Sequence, residues 1–444
     1  MSKSIQRTAA AFLLAFFLLA LALGRCSIAS PDLVARDDNP RRVFEEQFIQ
    51  RGAIFDRNDH VLAETAPQSG TLARRYPFLA AAPVAGYFSL NYGAAGVEEA
   101  LDRVLRGPRA ALDQVLHHRQ SGQGVRTTLD SRAQQILSER LTQPGAAIVL
   151  SLPDGAITAL ASNPSFDPNT LDENWKTLSS DPAAPLLNRA TQGLYQPGAI
   201  FETLLLSAAI ERGVPLTETL SRPDRPITLD QLTLRCAPSA PSGAPPQTLA
   251  EAYTQACPAP FADLAAQLTA SDLLSLTQQW KLDTPPRLEI RASAAPTPTT
   301  DLSTTLARQA YALGQGELTV SPLHMAQVAA AIGNSGFMPS VFVVKDVQSP
   351  DGTWQPYADS AQAPAPIVDP AVARAILLAM RVQDNSAGHG GAAFSGNRQH
   401  SWFIGLAPAD QPKYAIAVLL EDAANATDAE DIGRGVLGEL IAGQ

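Results

Sequence analysis

The 444-residue chain predicts a mixed α+β fold behind one membrane-spanning helix. Three observations carry that reading. An uncharged apolar run opens the chain, strand patterns lie early and again at the end, and the middle is mostly helical. Early and late strands then belong to one domain whose sheet joins distant segments.

The apolar run comes first. MSKSIQR carries Lys3 and Arg7, and Thr8 to Gly24 follows without a charge. A run of that length is just enough to span a bilayer core as a helix. Its positive flank stays cytoplasmic, which places everything after Arg25 outside. A cleaved signal peptide is the rival reading, with Ser27 and Ala29 as a small-x-small site. A lipoprotein through Cys26 is disfavoured by Arg25 just before it. All three readings export the body.

The 45% hydrophobic share supports a sizeable core and two domains. With 33 basic and 43 acidic residues the net charge is −10, which argues against nucleic acid as a partner. No Cys-x-x-Cys or Cys/His cluster exists to hold a metal, and no cofactor motif stands out. Export favours a disulfide between Cys236 and Cys257 over two buried free thiols.

Along the chain, Asp32 to Arg42 reads as a charged linker. Short strands and helices follow from Val43 to about Gly124, including VEEALDRVLRG, whose spacing fits an amphipathic helix. Asp130 introduces a helix over Ser131 to Leu141. GAAIVLSLPDGAITALAS reads as a hairpin turning at Pro153-Asp154-Gly155. Beyond Phe201 the pattern is helical, with loose Pro-rich segments at Cys236–Gln247 and Ala292–Asp301. HSWFIGLAP and KYAIAVLLED read as a terminal hairpin of buried strands. LYQPGAIFET, from Leu194, sits where a strand should hand over to a helix. A Pro-Gly turn there suits a nucleophile with a basic partner three residues on, but the two positions hold Ala199 and Glu202.

Six stretches, in order, resemble the class B penicillin-binding proteins. RGAIFDRNDHVLAE is similar to that family's Arg-Gly-x-Ile-x-Asp-Arg-Asn-Gly-x-x-Leu-Ala signature, and YGAAGVEEALDRVLRG to its Gly-Leu-Glu helix. GAAIVLSLPDGAITALASNPSFDPN resembles the strand pair opening the transpeptidase domain. PLLNRATQGLYQPGAIF resembles the approach to the active site. GQGELTVSPLHMAQVAAAIGNSG and HSWFIGLAP complete the series. The resemblance implies an antiparallel sheet flanked by helices, as in the serine β-lactamase-like transpeptidases, with a small N-terminal domain and one transmembrane helix. It divides the chain into a cytoplasmic N-terminus (1–7), a signal-anchor (8–24), a linker and small N-terminal domain (25–124), and a transpeptidase-like domain (125–444).

The family's chemistry rests on Ser-x-x-Lys, Ser-x-Asn and Lys-Thr-Gly. A lysine three residues after a serine shares its helix face and can take its proton. The second motif supplies another hydroxyl and an orienting amide. The third adds a cation on a strand edging the cleft, suited to a substrate carboxylate. Here the first reads Ala199-Ile200-Phe201-Glu202, with no nucleophile and an inverted charge. The second aligns with Ala256-Cys257-Pro258. The third aligns either at Gly388-His389-Gly390-Gly391-Ala392 or around Asn397, and neither has a lysine. The five lysines are Lys3, Lys176, Lys281, Lys345 and Lys413, and none lies three residues after a serine. Ser-x-Asn strings at Ser89–Asn91 and Ser395–Asn397 lie in the wrong regions. Residues that act as one catalytic unit lose most of their benefit together, so joint loss is coherent.

Blander readings stand beside these. His389, among glycines, reads as a solvated loop residue, and His117-His118 as surface. His400 flanks the third-motif region. Ser207, eight residues after Ala199, reads as core, and Glu202 as a tolerated substitution.

The resemblance thus implies a plasma-membrane protein, single-pass, with an extracytoplasmic C-terminal domain linked to peptidoglycan synthesis. Without its serine it is expected to be inactive and to act as a scaffold or regulator for cell-wall synthesis or division proteins. The rivals are residual D,D-transpeptidase or carboxypeptidase activity through a non-standard nucleophile, and a noncovalent sensor of peptidoglycan stem peptides.

Overall fold

The computed structural model describes residues 3–29, 48–68, 70–108, 120–237, 244–294, 296, 301–357 and 363–443. The expected linker at Asp32–Arg42 and the pair His117-His118 lie outside the described residues. Helix α1 (Lys3–Ala29) contains a 23-residue stretch, Lys3–Arg25, of mean hydropathy 2.0, long and apolar enough to cross a membrane. None of its most apolar window is buried against the body.

The body opens with β1 (Ile54–Phe55), β2 (Val61–Gln68), β3 (Thr71–Arg75) and β4 (Val125–Thr127). Helix α2 (Ser131–Arg140) starts where the Asp130 side chain accepts from the backbone N–H groups of Arg132 and Ala133, satisfying two orphan donors. Then come β5 (Gly145–Ser151), β6 (Ile157–Asn163), α3 (Glu202–Glu211), α4 (Pro258–Gln267) and α5 (Pro322–Gly333). Next are β7 (Val344–Gln348), β8 (Trp354–Pro356), α6 (Pro370–Ala379) and β9 (Arg381–Gln383). The chain ends with β10 (Ser386–Ser395), β11 (Arg398–Ala407), β12 (Tyr414–Leu420) and α7 (Asp428–Ala442).

The main sheet has the order β9-β10-β11-β12-β5-β6, antiparallel at each pairing. Early strands therefore meet late ones, as the sequence pattern requires. Alternation along β12 builds both covers at once. Ala417 and Leu419 pack into the core shared with α3 and α5, while Ile416, Val418 and Leu420 pack with Leu137 of α2 and Leu437 of α7. Both faces are apolar because both carry helices.

A second sheet, β8-β7-β4-β1-β2-β3, includes β7 and β8 from far along the chain. It therefore takes strands from both sides of residue 124.

Two sequence readings change. The hairpin β11–β12 is not terminal, because α7 follows and covers the sheet. VEEALDRVLRG forms two short helices, Val97–Ala100 and Asp102–Arg106, broken at Leu101 (φ −112°, ψ 27°). Arg51 grips both sides of the break, donating to Glu98 at 2.8 Å and to Asp102 at 2.7 Å.

Candidate functional site

The turn before α3 is held from three sides. Tyr195 bridges Val320, and the Tyr195 hydroxyl donates to Glu421 at 2.7 Å. Trp402 Nε1 on β11 donates to the Gln196 carbonyl at 2.8 Å. Gly198 has φ +55°, and a Cβ there would lie 2.3 Å from the Ala392 carbonyl oxygen. Only glycine combines that conformation with so close an approach to β10. Residues Gly198–Phe201 then make one 3₁₀ turn that runs into α3.

Ala199 sits on that turn, partly exposed. It faces Gly391 of β10, where an added Cβ would come within 2.7 Å of the Ala199 Cβ and 3.3 Å of the Ala256 Cβ. The first-motif and second-motif positions and strand β10 thus converge on one spot, and its three side chains are methyl, methyl and hydrogen.

Beneath it lies a buried acid and a buried base. Glu202 is 1% exposed, and its Oε2 has no hydrogen-bond partner. Burial alone raises its carboxyl well above the usual carboxylate range, so the protonated form is favoured. His389, 3% exposed, stands on β10 with its Nε2 3.0 Å from the Ala199 carbonyl oxygen and 3.7 Å from Glu202 Oε2. Its ring stacks on Tyr253 at 4.0 Å between centroids. Burial pushes His389 down to about 4, against the opposing pull of the Ala199 and Tyr253 carbonyls. Burial thus favours the uncharged form of both, and neither supplies the fixed charge of a lysine.

His389 is thus not a solvated loop residue, contrary to the sequence reading. Its neighbouring glycines permit close packing of a strand, as Gly391 shows, rather than a flexible loop. Asn397, the other place considered for the third motif, is exposed at the turn between β10 and β11.

In the second motif, Ala256 adopts φ +45° and Pro258 opens α4 at its first turn. Cys257 between them is bonded to Cys236, so its sulfur is not a free thiol. Ser89 and Asn91 lie in a separate turn, where Ser89 Oγ accepts from the Asn91 N–H at 3.0 Å. Ser207 is fully buried, donating to the Leu204 carbonyl at 2.7 Å and accepting from Trp280 Nε1 at 3.3 Å. His400 packs edge-on against Tyr195. Among the described residues, no three His, Cys, Asp or Glu side chains gather as a metal site.

Sequence reasoning missed Tyr253 and Thr203. The Thr203 hydroxyl lies one helical turn from Ala199 but pairs with the Tyr253 hydroxyl at 2.8 Å, inside the core. The lone tyrosine in EAYTQA was the only signal, and nothing in it pointed to a histidine far along the chain.

A sheet covered by helices on both faces, with a helix-opening turn set against one strand, defines a penicillin-binding-protein transpeptidase fold. The family models agree. One described as a penicillin binding protein transpeptidase domain matches residues 145–437, and one described as a penicillin binding protein A dimerisation domain matches residues 51–123. The chain belongs to the class B penicillin-binding proteins. It is similar to the peptidoglycan D,D-transpeptidase PbpA of Mycolicibacterium smegmatis, 32% identical over 95% of this chain and 94% of that protein. PbpA of Mycobacterium tuberculosis is 28% identical over the full length of both. The crystal structure of penicillin-binding protein A from M. tuberculosis, as an imipenem acyl-enzyme complex, superposes with a TM-score of 0.78. It is 30% identical and covers 89% of this chain and 99% of that one.

Proposed function

We propose that this is a membrane-anchored penicillin-binding protein of peptidoglycan synthesis that does not acylate, and that it serves as a scaffold or regulator for other wall-synthesis or division proteins. One observation carries the reading: a methyl group, Ala199, occupies the turn that faces β10, above a neutral acid–base pair. The similar M. tuberculosis protein forms acyl-enzymes with β-lactams. Forming an acyl-enzyme requires a nucleophile activated by an oriented base. Here the adjacent Thr203 hydroxyl is committed to Tyr253 and Cys257 is committed to Cys236.

Helix α1 anchors the protein, and the Lys3 and Arg7 flank places the body outside the plasma membrane. The Cys236–Cys257 disulfide supports that side, since such bonds persist in oxidising compartments. The domain division is the one drawn from the sequence, 25–124 and 125–444, with β7 and β8 returning to the second sheet beside β4. Stem peptides are poor ligands for this cleft, because the family's two cations are replaced by a carboxyl and a neutral imidazole.

The test is incubation of the purified full chain with a fluorescent β-lactam, followed by denaturing electrophoresis. No labelled band is expected. A band that survives denaturation would overturn the reading, and mapping the adduct would identify the nucleophile.

A further inference from the structure

Away from the former catalytic turn, a cavity of about 370 Å³ opens where the small N-terminal hairpin of residues 87–95 meets the body. That volume lies within the usual range of small-molecule sites, about 300–1,000 Å³. Nothing in the proposed function uses it.

Its lining has a distinctive chemistry. Tyr87 and Phe166 stand edge to face at 5.8 Å, and Tyr87 also packs against Trp175 at 6.1 Å, so the aromatic wall is held rigidly. Between these rings and the floor are Ser165 and Gln192, whose side chains make no hydrogen bond among the described residues. Thr191, behind the wall, is fully buried and its hydroxyl is sealed from the cavity, so the polar groups offered to a ligand are those of Ser165 and Gln192. Among the described residues the only charged ones in the lining, Glu99 and Arg291, are paired with each other. The pair cancels, so the cavity has no net attraction for either sign of charge.

We infer that this cavity binds an uncharged saccharide of one or two rings. A sugar presents C–H faces to aromatic rings and hydroxyls to amide and hydroxyl groups, and both halves of that demand are present. A carboxylate or phosphate ligand would need an uncommitted cation, and a purely apolar ligand would leave the Gln192 amide without a partner. The inference is independent of whether the Ala199 site acylates.

The experiment uses the full chain in a detergent without a sugar headgroup and N,N′-diacetylchitobiose as the probe. Saturation-transfer NMR and calorimetry should show weak, saturable binding. Ser165 is exposed, so Ser165→Trp fills the mouth with little risk to folding and should abolish the signal. Gln192→Ala should weaken binding about fivefold to tenfold, the loss of one or two hydrogen bonds. Ala199→Ser should leave it unchanged. No saturation transfer up to the probe's solubility limit overturns the proposal. So does equal binding by Ser165→Trp with an unchanged melting temperature, or tighter binding of glucose 6-phosphate than of the uncharged disaccharide.

Discussion

Two buried acidic residues in this molecule have opposite surroundings. Glu98, fully buried in the N-terminal module, accepts from Arg51 at 2.8 Å, Arg74 at 2.6 Å and the Tyr76 hydroxyl at 3.3 Å. Burial works against the charge on Arg51, but Glu98 and Asp102 more than offset it and raise its pKa. Glu202, at the start of α3, is equally buried, yet the basic group beside it is the His389 imidazole, 3.7 Å away. A buried charge persists only where partners satisfy its lone pairs. The N-terminal module meets that condition and the catalytic turn does not. The module therefore holds an ionic structural centre, while the turn at Ala199 holds a buried acid and a buried imidazole without a charged partner.

Removing Glu98 should produce the largest effect. Glu98→Gln leaves the buried Arg74 without its carboxylate and Arg51 with Asp102 alone, and should cost roughly 3–5 kcal/mol in chemical denaturation. Glu202→Gln, replacing one neutral group by another, should cost under about 1 kcal/mol at pH 5.5. Equal losses for the two would erase the contrast.

The disulfide comes next. Cys236→Ser or Cys257→Ser should lower stability by roughly 2–4 kcal/mol in protein made with its export signal. Two titratable thiols in that preparation would remove both the bond and the argument for the oxidising side.

The pH dependence sharpens the comparison further. Glu202 is raised from 4.5 in the folded state and His389 is lowered from 6.5 to about 4. Between pH 4.5 and 6.5 the unfolded chain carries charged histidine and charged glutamate, and the native pair carries neither. Both forms hold one proton, so this pair contributes no slope in that window. Above pH 6.5 the unfolded pair has lost its proton while Glu202 keeps it, so stability falls as pH rises toward the folded pKa of Glu202. Glu202→Gln removes that fall. The variant should therefore gain on the parent as pH rises above 4.5, until the folded-state pKa of Glu202 is reached. Parallel stability curves would mean that Glu202 is ionised in the native state.

The smallest expected effect is a null result. Ala199→Ser with Glu202→Lys restores the first motif in sequence only. The new lysine would be a buried cation beside His389, with no carboxylate to hold it and no cation at the third position. No acylation by a β-lactam is expected from the double variant. Measurable labelling above the parent and above Ala199→Ser would show that the turn keeps more of its electrostatics than the pair implies.

The sequence by itself determined much of this. Continuous apolar runs and turn residues marked β5, β6, β11 and β12, because strands buried on both faces read that way. The order of the six family-like stretches marked the fold, and the substitutions at Ala199, Glu202, Ala256 and Pro258 were plain in the letters. Only the tertiary structure decided the rest. VEEALDRVLRG carried a helical period, but the folded chain interrupts it at Leu101 and makes two short helices. The glycines around His389 looked like a loop, but they let β10 lie against Ala199. The neutrality of Glu202 and His389 follows from how deeply each is buried and from what each fails to touch. Neither quantity belongs to a residue or its neighbours in sequence, because desolvation is a property of the assembled surroundings.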